Sequence, residues 1–164
     1  MALYFKPIDV DQDSHYCTQF RRDSYFCSFG HYQGVEESLH NYPERILARQ
    51  QDKRWHFWHV WSDEGDESGC TLVGQLDFRD FSDYPETGYV HLMYIAPEHR
   101  STQVAAEMEA FLKTQLKSCG CRYAILSVAQ RNLRAIRHYQ KHGWQYWKAN
   151  PKHTEPFDFF RCEL

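Results

Sequence analysis

The sequence has little net charge, no long apolar segment and no signal-peptide pattern. Its 19 lysine and arginine residues and 22 aspartate and glutamate residues give a formal net charge of -3. Nucleic-acid-binding proteins usually carry a basic excess, so we expect no nucleic-acid partner. No apolar run approaches the ~18–20 residues that a membrane-spanning helix needs, so we expect no membrane partner. The first residues lack the basic-then-apolar order of a signal peptide.

The cysteines form neither a disulfide framework nor a zinc pattern. There are six of them: Cys17, Cys27, Cys70, Cys119, Cys121 and Cys162. Because the chain is neither small nor visibly secreted, we predict free thiols in a reducing cytoplasm. Cys119-Gly-Cys121 is too isolated for a zinc site, which needs about four ligands, and we expect no metal.

Aromatic residues are unusually abundant, with 11 Phe, 11 Tyr and 5 Trp, or 16% of the 164 residues. Disordered chains have few aromatic residues and a high net charge, so this composition predicts a folded chain. The length and the hydrophobic content of 42% fit one globular domain, which we predict over residues 1–164.

Residue spacing predicts seven strands and four helical stretches. The strands are expected at 2–8, 55–61, 71–79, 86–96, 123–128, 144–148 and 157–162, with an acidic solvated turn at 63–69. The first helix is capped by Asp11 or Ser14 and ends near Gly30. The others cover 35–51, broken or started by Pro43, then 102 to a stop at Gly120, and 132–142. This order predicts an α+β fold, an α/β sandwich with a mixed, mostly antiparallel sheet.

The segment from Met93 to Ala105 is predicted to be a strand, a tight loop and the start of a helix. A helix N-terminus offers unpaired N–H groups and the positive end of the helix dipole. It is therefore suited to bind an anion such as a pyrophosphate, and Arg100 could add positive charge. Any connection from a strand to a helix has this geometry, so the segment alone is a weak indicator.

The segment from Leu126 to Trp144 carries a more specific pattern. Its spacing is Asn, two residues, Ala, three residues, Tyr, then Lys-x-Gly and an aromatic, at Asn132, Ala135, Tyr139, Lys141, Gly143 and Trp144. With the order of strands and helices, this pattern resembles the GNAT superfamily of acyl-CoA-dependent N-acyltransferases over essentially the whole chain. The first segment departs from the family's loop motif, Gln/Arg-x-x-Gly-x-Gly/Ala, because Gln103 replaces a glycine that lets the backbone approach phosphates. The pyrophosphate loop is thus degenerate.

The resemblance implies acetyl-CoA as a co-substrate. The backbone of Tyr94, Ile95 and Ala96 would pair with the pantetheine arm like an added strand, and Asn132 would bind the pantetheine side. The pyrophosphate would lie against Arg100 and the amides of Ser101, Thr102, Gln103, Val104, Ala105 and Ala106. Gln103 would either obstruct it or swing aside and donate a hydrogen bond. One helix face carries a row of arginines at i, i+3 spacing, namely Arg131, Arg134 and Arg137. This row is either a solvated face or a contact for the 3′-phosphate of CoA.

Tyr139 would lie near the thioester sulfur in this resemblance. A tyrosine hydroxyl is protonated at neutral pH and can donate a proton to a departing thiolate. The general base stays open. In the family it often lies on the strand equivalent to 88–96, where alternation places Tyr89, His91 and Met93 on one face. His91 has a suitable intrinsic pKa, and Glu86 and Asp77 are alternatives. A histidine in a central strand is more often a structural residue with satisfied hydrogen bonds.

The first two helices shape the acceptor pocket in the resembling family. Asp23 could pair an ammonium group there, and Tyr25, Phe29 and Tyr32 could surround it by cation–π contact. Core packing alone would explain most of these aromatic residues. The acceptor is expected to be a small-molecule or peptide amine, and a homodimer is left open.

The resemblance therefore implies an N-acetyltransferase that moves an acetyl group from acetyl-CoA to a primary amine by direct transfer in a ternary complex. The alternative is a catalytically degenerate domain of the same fold that binds or regulates, because the phosphate loop is altered. These alternatives differ in whether any amine is acetylated.

Overall fold

One seven-stranded sheet runs through the protein. The computed structural model describes residues 1–65 and 69–164. The strands are β1 (Leu3–Pro7), β2 (Trp55–Ser62), β3 (Thr71–Arg79), β4 (Thr87–Ile95), β5 (Tyr123–Ala129), β6 (Gln145–Asn150) and β7 (Phe157–Glu163). Their order across the sheet is β1-β2-β3-β4-β5-β7-β6, and among these described strands only β4 and β5 pair in parallel. The predicted α+β architecture with a mostly antiparallel sheet is confirmed.

The four predicted helical stretches are all present, the second as two helices. The helices are α1 (Val10–Phe29), α2 (Val35–Leu39), α3 (Tyr42–Gln50), α4 (Thr102–Ser118) and α5 (Leu133–Lys141). Asn41, with a φ of 55°, separates α2 from α3, and Pro43 lies in the first turn of α3. The cap of α1 is Asp9 rather than Asp11 or Ser14, because its carboxylate accepts the Gln12 amide at 3.2 Å.

The two faces of the sheet are covered by different helices. On one face, α4 buries Val104, Met108, Leu112 and Leu116 against the strands, at the helical spacing expected for an apolar stripe. On the other face, α1, α2 and α3 pack against β2, and Phe20 of α1 packs against β3 and β4. None of the described helices is long and apolar enough to cross a membrane. The acidic turn predicted at 63–69 joins β2 to β3, and its residues 66–68 lie outside the described residues.

The two parallel strands are paired over only part of their length. The β4 residues Thr87–Val90 pair with Tyr123–Leu126 of β5, and beyond them the two strands no longer pair with each other. β4 continues to Ile95 alongside β3, and β5 continues to Ala129 alongside β7. The strands therefore diverge at their carboxyl ends, and the facing backbone edges lose their strand partner there. This divergence opens the cleft that the candidate site occupies.

Candidate active site

The cleft between the diverging strands has a volume of about 850 Å³. Its walls come from α1, α2, β4, the start of α4, β5, α5 and the connection between β6 and β7. Ten of the residues that the sequence singles out line it: Tyr25, Phe29, His91, Tyr94, Ile95, Arg100, Ser101, Ala105, Asn132 and Tyr139. The fold thus brings the predicted cofactor and catalytic segments to one place, although they lie far apart in the chain.

The start of α4 presents backbone amides at one end of the cleft. Ser101 is the N-cap, and its hydroxyl oxygen accepts the Val104 amide at 3.3 Å. The first turn contains no acidic residue, so nothing there opposes an anion. Gln103 is turned away, since its side-chain amide donates to the Met1 carbonyl oxygen at 3.1 Å. Of the two placements open to Gln103, the structure shows the one that leaves the loop clear.

Several of the predicted backbone contacts are already used within the protein. The Ala96 amide donates to the Val73 carbonyl oxygen at 2.8 Å, and the Ala105 amide donates to the Ser101 carbonyl oxygen at 3.1 Å. Ala106 lies far enough into α4 for its amide to bond to the preceding turn. Because the Ser101 side chain occupies the Val104 amide, the amides still open for a ligand are those before Val104 in the first turn.

Arg100 and Asp23 form a closed group with Tyr94. The Arg100 guanidinium lies 3.1 Å from the Asp23 carboxylate and donates to the Ile95 carbonyl oxygen at 2.8 Å. The Tyr94 hydroxyl donates to the same Asp23 oxygen at 2.5 Å. Asp23 is therefore already neutralised, and it does not line the cleft. Its predicted pairing with a substrate ammonium group is not supported by this geometry.

Tyr139 on α5 is half-buried and lines the cleft beside Trp144. Burial, with a smaller contribution from the negative charge of Glu109, raises the pKa of the Tyr139 hydroxyl well above its usual range. The hydroxyl is thus protonated at neutral pH, as a proton donor must be. Asn132 is the N-cap of the same helix, and its Oδ1 accepts the Ala135 amide at 3.3 Å.

A buried carboxylate fixes α5 against α4. Glu109 of α4 accepts hydrogen bonds from the His138 ring at 2.9 Å and from the Trp144 indole at 3.0 Å. The ammonium group of Lys113 lies 3.5 Å away from it. His138 precedes Tyr139, so this network sets where the Tyr139 ring lies. Sequence reasoning did not single out Glu109, because it occurs in an ordinary amphipathic helix.

β4 contains an extra residue within the cleft. Leu92 pairs with Asp77 and Val90 pairs with Phe78, so two consecutive residues of β3 face β4 residues two apart. His91 is therefore the inserted residue of a β-bulge, a feature that redirects side chains and is common beside active sites. Simple alternation does not hold across it.

The bulge changes which side chains share a face. Met93 packs with the cluster under α4, whereas His91 stacks on Tyr89 and Trp55, with ring centroids 4.7 and 5.2 Å apart. The predicted common face of Tyr89, His91 and Met93 is therefore wrong for Met93. Strand periodicity cannot show a bulge, because the inserted residue has no signature of its own in this sequence.

His91 lines the cleft but is a poor general base. Burial, and then the nearby positive charges of Arg79, Arg21 and Arg49, lower its pKa to about 3. Its imidazole is therefore neutral at physiological pH, and it would hold an amine proton only weakly. Within the described residues its buried Nε2 has no hydrogen-bond partner.

A family model described as the acetyltransferase (GNAT) family matches residues 16–144, well over half of the chain. The chain belongs to the GNAT acetyltransferase family. The match extends from Tyr16, within α1, to Trp144, three residues beyond the end of α5, and so includes part of every wall of the cleft except the β6–β7 connection.

Solved GNAT structures share the fold at low sequence identity. The PaiA N-acetyltransferase of Thermoplasma acidophilum, in complex with coenzyme A, has a TM-score of 0.77 at 14% identity, covering all of both chains. The spermidine N-acetyltransferase of Vibrio cholerae, in complex with CoA and spermine, has a TM-score of 0.74 at 14% identity, covering 98% of this chain and 95% of that one. A ribosomal-protein-alanine N-acetyltransferase of Brucella melitensis has a TM-score of 0.71 at 13% identity, covering 98% and 99%. No curated protein sequence gives a significant match.

Three other predicted residues lie outside the GNAT cleft. Glu86 has a φ of 54° in the turn before β4, at the end where β4 and β5 are paired, and its carboxylate lies 3.5 Å from Arg122. Tyr32 is 53% exposed and stacks on Phe26. The alternative base Asp77 is buried, accepts hydrogen bonds from Tyr42 and Gln75, and does not line the cleft.

The structure adds lining residues that the sequence did not indicate. Arg21 of α1 faces His91, and His153 and Phe157 enter from the β6–β7 connection beside Phe29. The arginine row of α5 divides, since Arg134 and Arg137 line the cleft while Arg131 donates to the Phe29 carbonyl oxygen.

Three side chains of types that can bind a metal ion lie together away from the cleft. The ligand atoms of His56, Asp80 and Cys119 all lie within 4.8 Å of one another. The Arg54 guanidinium is 3.2 Å from the Asp80 carboxylate, and this positive charge opposes a cation there. The hydrogen bond from His56 at 3.0 Å already engages the other carboxylate oxygen.

Proposed function

We propose that this GNAT protein transfers an acetyl group from acetyl-CoA to a primary amine, with both substrates bound together in the cleft. The observation that carries the proposal is the cleft itself. One end has open helix amides, one wall has a protonated tyrosine, and the floor is the free edge of β4. Holding two substrates in one cleft supplies much of the rate of a bimolecular reaction.

The residues present fit a CoA thioester. The first amides of α4 would hold the pyrophosphate, and the free backbone edge at Tyr94 and Ile95 would pair with the amide-rich arm. Asn132 lies along the same path. Arg134, Arg137 and Lys141 add positive charge on the α5 wall for further phosphate. Acetyl-CoA supplies the activated acetyl group as a thioester.

Tyr139 acts as the general acid in this proposal. Its hydroxyl donates a proton to the sulfur as the carbon–sulfur bond breaks and the new carbon–nitrogen bond forms. Water then reprotonates the tyrosine. Because the pKa of His91 is lowered to about 3, the proton that the amine loses passes to water in the open cleft.

Two measurements test the proposal. Calorimetric titration with CoA is expected to give saturable binding, and acetyl-CoA with a broad amine panel is expected to give CoA release that depends on the amine. Absence of CoA binding would overturn the proposal. CoA binding without transfer to any amine would favour the alternative of a binding or regulatory domain.

The acceptor is proposed to be a small-molecule or peptide amine, which the cleft of about 850 Å³ has room to hold beside a CoA thioester. A cytoplasmic location is proposed from the thiols. All six cysteines are unpaired, and Cys17, Cys121 and Cys162 among them are buried.

A further inference from the structure

Three arginine side chains converge on His91 without a carboxylate partner. Arg21 donates to the His91 carbonyl oxygen at 3.4 Å. The guanidinium of Arg79 lies over the rings of Tyr89 and Trp55, at 5.2 and 5.5 Å, and that of Arg49 lies 4.3 Å from Trp55. Within the described residues none of the three arginines forms an ion pair.

Two side chains of the cleft lining have buried polar atoms that are unsatisfied. Among the described residues, His91 Nε2 and the Ser38 hydroxyl have no hydrogen-bond partner, and neither has Nε of Arg79, which does not line the cleft. Ser38 and His91 both line the cleft. Unsatisfied buried polar groups are costly in a finished fold, so their grouping at a cleft indicates that a ligand satisfies them.

In the described part of the chain, the cleft lining offers no acidic side chain to balance the charges of Arg21, Arg49 and Arg79. No aspartate or glutamate is among the described residues that line the cleft. Asp23 pairs with Arg100, and Glu155 pairs with His31 at 3.2 Å. Asp77 accepts hydrogen bonds from Tyr42 and Gln75, and its charge also acts on Arg21 and Arg49, but it does not line the cleft. A polyamine would therefore bring further positive charge to a site with no free carboxylate.

We propose that the acceptor is an amine that also carries a carboxylate, which binds beside Arg21 and the Ser38 hydroxyl. This inference rests on the proposed acetyltransferase function and names the substrate class of the same site. A carboxylate accepts hydrogen bonds from a guanidinium and a hydroxyl together, and it neutralises the field of the three arginines. The aromatic wall formed by Tyr25, Phe29 and Phe157 would then contact the remainder of the acceptor.

The test uses pairs of amines that differ only in the carboxylate, with the full chain and acetyl-CoA. Suitable pairs are tyrosine and tyramine, phenylalanine and phenethylamine, and lysine and 1,5-diaminopentane, with spermidine as a further amine. The carboxylated member of a pair is expected to have a kcat/KM at least about 30-fold higher, because leaving buried charges without their partner is costly. Equal values, or a preference for the plain amines or spermidine, would overturn the substrate class while leaving the acetyltransferase function intact.

A variant pair connects the preference to Arg21. Arg21→Gln is expected to raise KM for the carboxylated amine at least about tenfold, with kcat and CoA affinity changing much less, and to narrow the difference within each pair. Arg21→Lys is expected to recover part of the loss. Arg22→Gln is the matched control, since Arg22 is the next residue of α1 and pairs with Glu36 outside the cleft. An unchanged KM in Arg21→Gln would remove Arg21 from the carboxylate site.

Measuring amine binding to the CoA complex tests the substrate class independently of acetyl transfer. If CoA binds but no amine is acetylated, the amine pairs are titrated against the CoA complex. Tighter binding of the carboxylated members, by about tenfold or more, would support the substrate class even though the proposed activity had failed. Equal binding, or no binding of either member, would overturn it.

Discussion

Replacing Glu109 tests how much its hydrogen bonds between α4 and α5, the helix that carries Tyr139, contribute to the free energy of unfolding. The Glu109 carboxylate is 2% exposed and accepts from Trp144, which is 1% exposed, and from His138. Glu109→Ala leaves the Trp144 indole N–H unsatisfied in the core and leaves Lys113 without its charge partner. It also opens a small space between α4 and α5.

The size of the effect follows from these contacts. A buried donor left without an acceptor costs about 1–3 kcal/mol, and the lost His138 hydrogen bond adds about 1 kcal/mol. Lys113 recovers water because its side chain is 28% exposed, so its contribution is small. We therefore expect Glu109→Ala to lower the free energy of unfolding by about 2–4 kcal/mol. Glu109→Gln keeps one acceptor oxygen for the Trp144 indole and is expected to lose about half as much.

The assay is urea unfolding at neutral pH, read by tryptophan fluorescence and by circular dichroism. Glu107→Ala is the matched control, since Glu107 lies on the exposed side of α4, and it is expected to stay within about 0.5 kcal/mol of the parent. In folded Glu109→Gln, kcat is expected to fall more than CoA affinity, because Tyr139 follows His138 on the helix that the carboxylate positions. A loss below about 1 kcal/mol in Glu109→Ala would refute this reasoning.

Three further predictions concern the acid, the pH dependence and the packing. Tyr139→Phe is expected to lower kcat about 10²–10⁴-fold with CoA affinity retained, measured by steady-state kinetics and calorimetry beside the exposed control Tyr146→Phe. A wild-type kcat would exclude Tyr139 as the acid. The pKa of His91 is about 3 in the fold against 6.5 unfolded. The unfolded chain therefore binds more protons below pH 6.5, and stability is expected to fall by about 3 kcal/mol as pH drops from 7 to 4. In urea denaturation at pH 7 and pH 4, the free energy of unfolding of His91→Gln should fall less than that of the parent protein. The same fall in both proteins would contradict the lowered pKa of His91. Gly74→Ala would place a Cβ 2.5 Å from the Tyr94 carbonyl oxygen and 3.3 Å from Met108 Sδ, and is expected to destabilise by at least about 2 kcal/mol. An unchanged unfolding midpoint would contradict that packing.

Much of the fold was predictable because it depends on local patterns. The apolar spacing at Val104, Met108, Leu112 and Leu116 predicts α4 and the face that it buries, and the structure confirms both. Alternation over 55–61 predicts β2, and the compact apolar run at 123–128 predicts β5. The cap at Asp9 was missed because several acidic and hydroxyl residues follow one another there, and each can accept an amide hydrogen bond equally well.

Within the candidate site, the placement of Asn132 and Tyr139 in one cleft wall could be predicted from their spacing, because Asn132 caps the helix that carries Tyr139. The bulge at His91 was not, since an inserted residue leaves the local sequence unremarkable. The pairing of Asp23 with Arg100 joins α1 to the loop before α4, and a contact between residues 77 positions apart has no local pattern.

The sequence by itself determined the elements, their order and the family, because these follow from side-chain periodicity and from a motif confined to α5 and the residues that flank it. Only the tertiary structure decided the electrostatics of the cleft. In the folded chain Asp23 pairs with Arg100, and Glu86 lies before the first residue of β4, at the end away from the cleft. Arg21, Arg49 and Arg79 lie close enough to His91 for their charges to lower its pKa. Charge at a site depends on distance and burial, and residues from four separate elements reach these distances only once the chain has folded.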